Sequence, residues 1–141
     1  MSASLLKTVP LSNGLMLEFW DESRPTAGDR WYVGVRAVVA VPLAGPVTEG
    51  APAEIIGLLK RAVGGSIRYR FLKERHFIPA DEAEGQKREL IRIFLDNDLK
   101  YLAHPRFAEN FIRRKVQEIR EKRDWPEEHL EKILEDLRQS N

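Results

Sequence analysis

The stretch 31–41 is the most apolar part of the chain and constrains how the rest can fold. It contains five valines, whose branched Cβ atoms favour extended backbone. Every second position gives one face without a polar residue: Trp31, Val33, Val35, Ala37, Val39 and Val41. The opposite face carries a single charge, Arg36. This pattern predicts a strand in the middle of a sheet, covered on at least one face.

Asn13-Gly14 lies between two short apolar runs, 8–11 and 15–20, and predicts a β-hairpin. The dipeptide tolerates positive φ at both central positions, so a type I′ turn is expected. Pro10 has no N–H to donate to a ladder, which places the first strand at a sheet edge. In the second strand alternate residues are expected to face the core: Leu15, Leu17 and Phe19.

The rest of the chain is predicted to form one more helix and one more strand, and then to be helical to its end. A helix is predicted from Pro52 to Gly64-Gly65, followed by a fourth strand over 66–78. Helical periodicity returns after Asp81, after Pro105, and after a capping box at Asp124-Trp125-Pro126-Glu127. Strands followed by helices predict an α+β fold: a four-stranded antiparallel or mixed sheet with C-terminal helices packed on one face. The length of 141 residues predicts a single domain, 1–141.

Composition describes an ordinary globular protein, with 43% hydrophobic and 32% charged residues. The net charge of +1 gives no overall field to attract nucleic acid or acidic lipid. The absence of cysteine excludes disulfides, zinc ribbons and thiol nucleophiles, and is typical of a reducing compartment. Because no apolar run resembles a signal peptide or a membrane helix, we expect a soluble, cytoplasmic protein.

Basic residues are nevertheless concentrated locally, with six in 60–80 against one acidic residue. Arginines on the fourth strand and the third helix predict an alternative function, binding of RNA or another single-stranded nucleic acid. The candidate residues are Arg68, Arg70, Arg113 and Arg114. Acidic and basic residues four positions apart, such as Glu109 and Arg113, favour instead a solvated helix face.

No sequence motif points to catalysis. The chain lacks G-x-S-x-G, a phosphate-binding glycine loop and H-E-x-x-H. His76, Asp81 and Glu84 have ligand-type side chains, but no motif fixes their geometry. We therefore predict no catalytic residue, no metal and no cofactor. An enzyme with an unrecognised cleft that uses His76 with Asp81 remains an alternative.

The fourth helix carries a narrow apolar stripe in an otherwise charged sequence: Leu130, Ile133, Leu134 and Leu137. Such a stripe can close the protein's own core or lie against a second copy in a symmetric dimer. The main functional prediction is accordingly non-catalytic binding, through contact with another protein or through self-association at these four residues.

Overall fold

The computed structural model describes residues 3–122 and 127–140, and their side chains except at 46, 47, 127–130, 133 and 140. It confirms the α+β class, with an open, mostly antiparallel sheet and helices. The strands are β1 (Ser4–Pro10), β2 (Met16–Asp21), β3 (Arg24–Pro25), β4 (Arg30–Pro42) and β5 (Ser66–Pro79). The helices are α1 (Ala53–Val63), α2 (Ala83–Leu102), α3 (Phe107–Glu121) and α4 (Glu127–Ser140). The capping box predicted at Asp124-Trp125-Pro126-Glu127 lies largely outside the described residues.

The sheet is organised around β4. It pairs with β2, with the short β3 and with β5, while β1 pairs with β2 at the edge predicted from Pro10. One more strand is present than the sequence predicts, because Arg24 and Pro25 pair with Tyr32 and Trp31 inside a segment expected to be a loop.

The apolar face of β4 is buried as predicted. Its five inner residues are at most 4% exposed: Val33, Val35, Ala37, Val39 and Val41. On β2, Leu17 and Phe19 are fully buried beside them. The ring of Phe94 on α2 meets that of Phe19 edge-on, with centroids 5.3 Å apart. Helix α2 thus covers this part of the sheet through aromatic contact.

The β1–β2 hairpin is confirmed, but the type I′ turn is wrong. Gly14 has a φ of +89°, whereas Asn13 does not adopt positive φ. The Asn13 side chain is instead used for hydrogen bonds: its Nδ2 donates to the carbonyls of Leu102 at 2.7 Å and His104 at 3.0 Å. This amide therefore ties the hairpin to the end of α2.

The chain divides into two compact units. The first unit comprises Met1–Val39 and Tyr69–His104, and it contains β1, β2, β3 and α2. The second comprises Ala40–Arg68 and Pro105–Asn141, in which α1 contacts both α3 and α4. Fully buried residues of the second unit include Leu59 and Ile112. The single domain expected from the length stays a prediction.

Candidate functional site

Strand β1 presents an open edge. It pairs with β2 on one side, and no described strand pairs with it on the other. Six of its seven residues are exposed, including Leu5 at 48% and Leu6 at 38%. An exposed edge strand offers unpaired backbone groups to an incoming strand. The open edge of β1 is therefore the first candidate for a binding surface.

The register shows which backbone groups face the open edge. The N–H of Leu11 donates to the carbonyl of Leu15 at 2.8 Å across the hairpin. In an antiparallel ladder, hydrogen-bonded pairs alternate with pairs whose N–H and C=O groups point outward. Thr8 pairs with Glu18 and lies three positions before Leu11, so it is an outward-pointing residue. Its N–H and C=O are available to a further strand.

A groove of about 470 Å³ runs between β1 and α2. We call this the β1–α2 groove; it is lined by Leu6, Lys7, Glu84, Lys87, Arg88, Ile91, Arg92 and Leu95. Its apolar part consists of Leu6 on the strand and of Ile91 and Leu95, both half-buried, on the helix. Leu90 and Phe94 on the same helix are buried, whereas Ile91 and Leu95 are only half-buried. Packing therefore covers only part of the apolar stripe of α2. The remainder of that stripe forms the groove.

Lys87 holds α2 to the end of β2 beneath this groove. The residue is 8% exposed, and its Nζ lies 2.9 Å from Asp21 and 2.7 Å from Glu84. Burial opposes ionisation of Asp21, but hydrogen bonds from Lys87 and Ser23 outweigh it and lower the pKa of the carboxyl. Burial likewise opposes the charge of Lys87, yet bonds to Asp21 and Glu84 raise its pKa. Both residues are therefore charged at neutral pH.

Two cations of the groove remain available to a ligand. Arg92 is not one of them, because it forms ion pairs with Glu89 and with Asp96, the latter at 2.8 Å. Lys7 and Arg88 are both exposed, and neither forms an ion pair with another described residue. The rim of the groove is consequently basic.

A second cleft of about 550 Å³ borders the start of β1, and Lys87 lines it too. Its other charged residues are engaged: Glu22 accepts two bonds from Arg36, at 2.8 and 3.0 Å. Ser23 Oγ accepts a bond from the N–H of Gly34 at 3.1 Å, inside the sheet. These partners give the cleft a structural role, and Ser23 is not arranged as a nucleophile.

Tyr32 is also structural. Its hydroxyl donates to Glu74 at 2.6 Å, and the Arg24 guanidinium lies 4.4 Å from the ring centroid. Burial, together with the bond to Glu74, raises the pKa of Tyr32 to about 12. A phenol with this pKa keeps its proton at neutral pH and does not act as a base there.

Phe77 is a separate surface feature. It is 77% exposed and has a φ of +57°, which is unusual for a bulky residue. It belongs to β5, which pairs with β4, and so it does not lie along the edge formed by β1.

The four arginines predicted to bind nucleic acid are found on two elements. Arg68 is exposed and Arg70 half-buried on β5, while Arg113 and Arg114 are exposed on α3. Arg113 forms the predicted ion pair with Glu109, at 2.7 Å. Arg70 belongs to the first compact unit and the other three to the second. Nucleic-acid binding stays a prediction.

The stripe predicted for self-association is only partly described. Leu134 is 6% exposed, on a helix that contacts α1, and Leu137 is half-buried. The side chains of Leu130 and Ile133 lie outside the described residues. The neighbouring Arg138 donates from Nε to the carbonyl of Ala62 on α1, at 3.2 Å. Leu134 thus packs within the chain, and self-association through α4 stays a prediction.

His76, Asp81 and Glu84 do not form a metal site, and an enzyme that uses His76 with Asp81 stays a prediction. His76 lies 3.8 Å from Glu74 and its ring contacts Tyr32, with centroids 5.2 Å apart. Among the side chains that the structure describes, no three from histidine, aspartate or glutamate come together as a metal site.

Comparisons with protein-family models, with curated proteins and with solved structures give no match to this chain. None of the helices in the described ranges combines the length and the apolar character needed to cross a bilayer.

Proposed function

We propose that this chain is a non-catalytic binding protein, which takes an extended segment of a partner protein as an added strand on β1. The observation that supports this function is the open edge of β1 directly beside the β1–α2 groove, which has an apolar part and a basic rim. Strand addition of this kind gains affinity from main-chain hydrogen bonds and specificity from pockets for alternate side chains. We place this function in the cytoplasm, as expected in the sequence analysis.

Strand β1 offers main-chain hydrogen-bonding groups to a bound segment, and β1 and α2 together offer a surface for its side chains. Thr8 offers one outward N–H and one outward C=O, which an added strand pairs with directly. Side chains of a strand alternate between its faces, so every second residue of the segment points to the same side. Leu6, Ile91 and Leu95 give those side chains an apolar surface. Burial of the exposed parts of these three side chains by the bound segment would supply much of the binding free energy.

The Thr8→Pro substitution tests this function. Proline removes the outward N–H of residue 8, whereas the hydrogen bonds from β1 to β2 involve the alternate positions and remain. We expect the variant to keep its circular dichroism spectrum and to lose binding by about tenfold or more. Binding is measured by anisotropy with labelled octapeptides selected from a random library on the wild-type protein.

Thr8→Val is the matched control, because it changes the side chain and keeps the N–H. If Thr8→Pro does not fold, Leu6→Asp provides a second test, since Leu6 is a surface residue that lines the groove. If the selected peptides bind Thr8→Pro and Leu6→Asp as tightly as they bind the wild-type protein, β1 is not the binding edge.

A further inference from the structure

We infer that the segment bound at the open edge of β1 is acidic, with carboxylates that pair with Lys7 and Arg88. This inference rests on the proposed function and specifies the class of partner for the same site. It follows from the distribution of charge around the groove and from what a second copy of the chain would bring there.

The charged residues that line the groove are mostly basic. Of its five charged residues, four are basic and one, Glu84, is acidic. Glu84 is bonded to Lys87, and Arg92 is bonded to carboxylates of its own helix. Lys7 and Arg88 are left to pair with the ligand, one on each wall of the groove. Carboxylates on an incoming strand would satisfy both cations at the rim, where complementary charge selects partners.

A second copy of this chain fits the edge less well. Pairing β1 with the β1 of another molecule would bring two Lys7 residues and two Arg88 residues to one interface. Like charges in neighbouring positions on paired strands are destabilising, and a lysine on an edge strand discourages edge-to-edge association. The same positive charge that disfavours self-pairing favours an acidic segment. Apolar residues two positions away from the acidic ones point to the same side of the strand and would reach Leu6 and Ile91.

Three synthetic octapeptides test the charge of the partner. Each has threonine at every second position, and the positions between are occupied in turn by valine and by glutamate, glutamine or lysine, so that valine and the varied residue point to the same side. We expect wild-type protein to bind them in the order glutamate, glutamine, lysine. The Lys7→Glu/Arg88→Glu variant should invert this order and lower the affinity for the glutamate peptide by about tenfold or more. Both positions are exposed, so the variant should fold. The control is Lys60→Glu/Lys132→Glu, an equal change of charge at two exposed residues of α1 and α4.

The outcomes separate this inference from the function on which it rests. An inverted order with the variant and an unchanged order with the control support an acidic partner. If wild type and the Lys7→Glu/Arg88→Glu variant bind the peptides in the same order, and Thr8→Pro still weakens binding, the acidic class is overturned and strand addition stands. Failure of all three peptides to bind, while library-selected octapeptides bind wild type and are weakened by Thr8→Pro, would overturn the acidic class alone. Failure of the library-selected peptides as well would overturn both. A wild-type dimer in sedimentation velocity that Thr8→Pro dissociates would identify a second copy as the occupant, against the inference.

Discussion

Replacing Phe19 by alanine should lower the free energy of unfolding by about 4 kcal/mol, the largest effect we expect from a single substitution. Phe19 is fully buried on β2, opposite Ala37 of β4, and its ring meets Phe94 of α2 edge-on. The substitution removes buried apolar area and leaves a cavity between the sheet and the helix. Stabilities of small domains are about 5–15 kcal/mol, so this loss is a large fraction of the total.

Urea denaturation followed by tryptophan fluorescence measures this loss, because Trp20 is next to Phe19 in the same strand. Met16→Ala is the control on β2: its side chain is 47% exposed, so we expect a change below about 1 kcal/mol. Equal losses for the two variants would mean that the side chain of Phe19 does not join the sheet to α2.

The Lys87→Met substitution should lower the free energy of unfolding by about 3 kcal/mol at pH 7. Methionine retains most of the side-chain volume but leaves the Asp21 carboxylate, whose side chain is 14% exposed, without its cation. Because the loss arises from an uncompensated buried charge, adding Asp21→Asn to Lys87→Met should recover part of it. Arg92→Met, at a residue with a 58% exposed side chain and two ion pairs, should change stability by less than about 1 kcal/mol.

The effect of Lys87→Met should depend on pH in a defined direction. In the wild type the pKa of Asp21 is lowered from 3.8, so its stabilising contribution is present above that pH and lost as the pH falls through the folded-state pKa. Asp21 becomes neutral in acid, and the difference between wild type and variant should then shrink. Urea midpoints measured between neutral pH and acid test this. A difference that stays constant into acid would show that charge at Asp21 is not the cause.

Much of the fold follows from patterns within single elements. The alternation of valines placed β4 in the core, and the glycine after α1 marks its end, with a φ of +81° and a bond from its N–H to Lys60. The turn type at Asn13 was wrong because the connection has three residues: Leu11 pairs with Leu15, and only Gly14 takes positive φ. The bonds of the Asn13 side chain to residues about ninety positions away were also not predicted. Such long-range partners are not visible in a local pattern.

The proposed binding site depends on relations between elements and was not predicted. Ile91 and Leu95 continue an apolar stripe that resembles a core-facing helix, and only the sheet order shows that β1 leaves them half covered. Lys7 and Arg88 carry no local signal that distinguishes them from other surface cations. They belong to one groove because an edge strand and a helix meet, which a sequence pattern does not specify.

The buried ion pair did leave a signal in the sequence. Asp21 continues the inward alternation of Leu17 and Phe19 on β2. Lys87 lies four residues after Ala83 and three before Leu90, on the buried face of α2. A charge on each of two inward faces, of opposite sign, predicts a buried pair.

Amide hydrogen exchange at Thr8 is the most direct test of strand addition at β1. In the free protein the N–H of Thr8 points to the open edge and should exchange quickly, while the N–H of Val9 bonds to β2 and should exchange slowly. With the glutamate–valine octapeptide bound, exchange at Thr8 should slow by about tenfold or more as its N–H enters a new ladder. Thr8 exchange that stays fast while the peptide is bound would show that the ligand does not add to this edge.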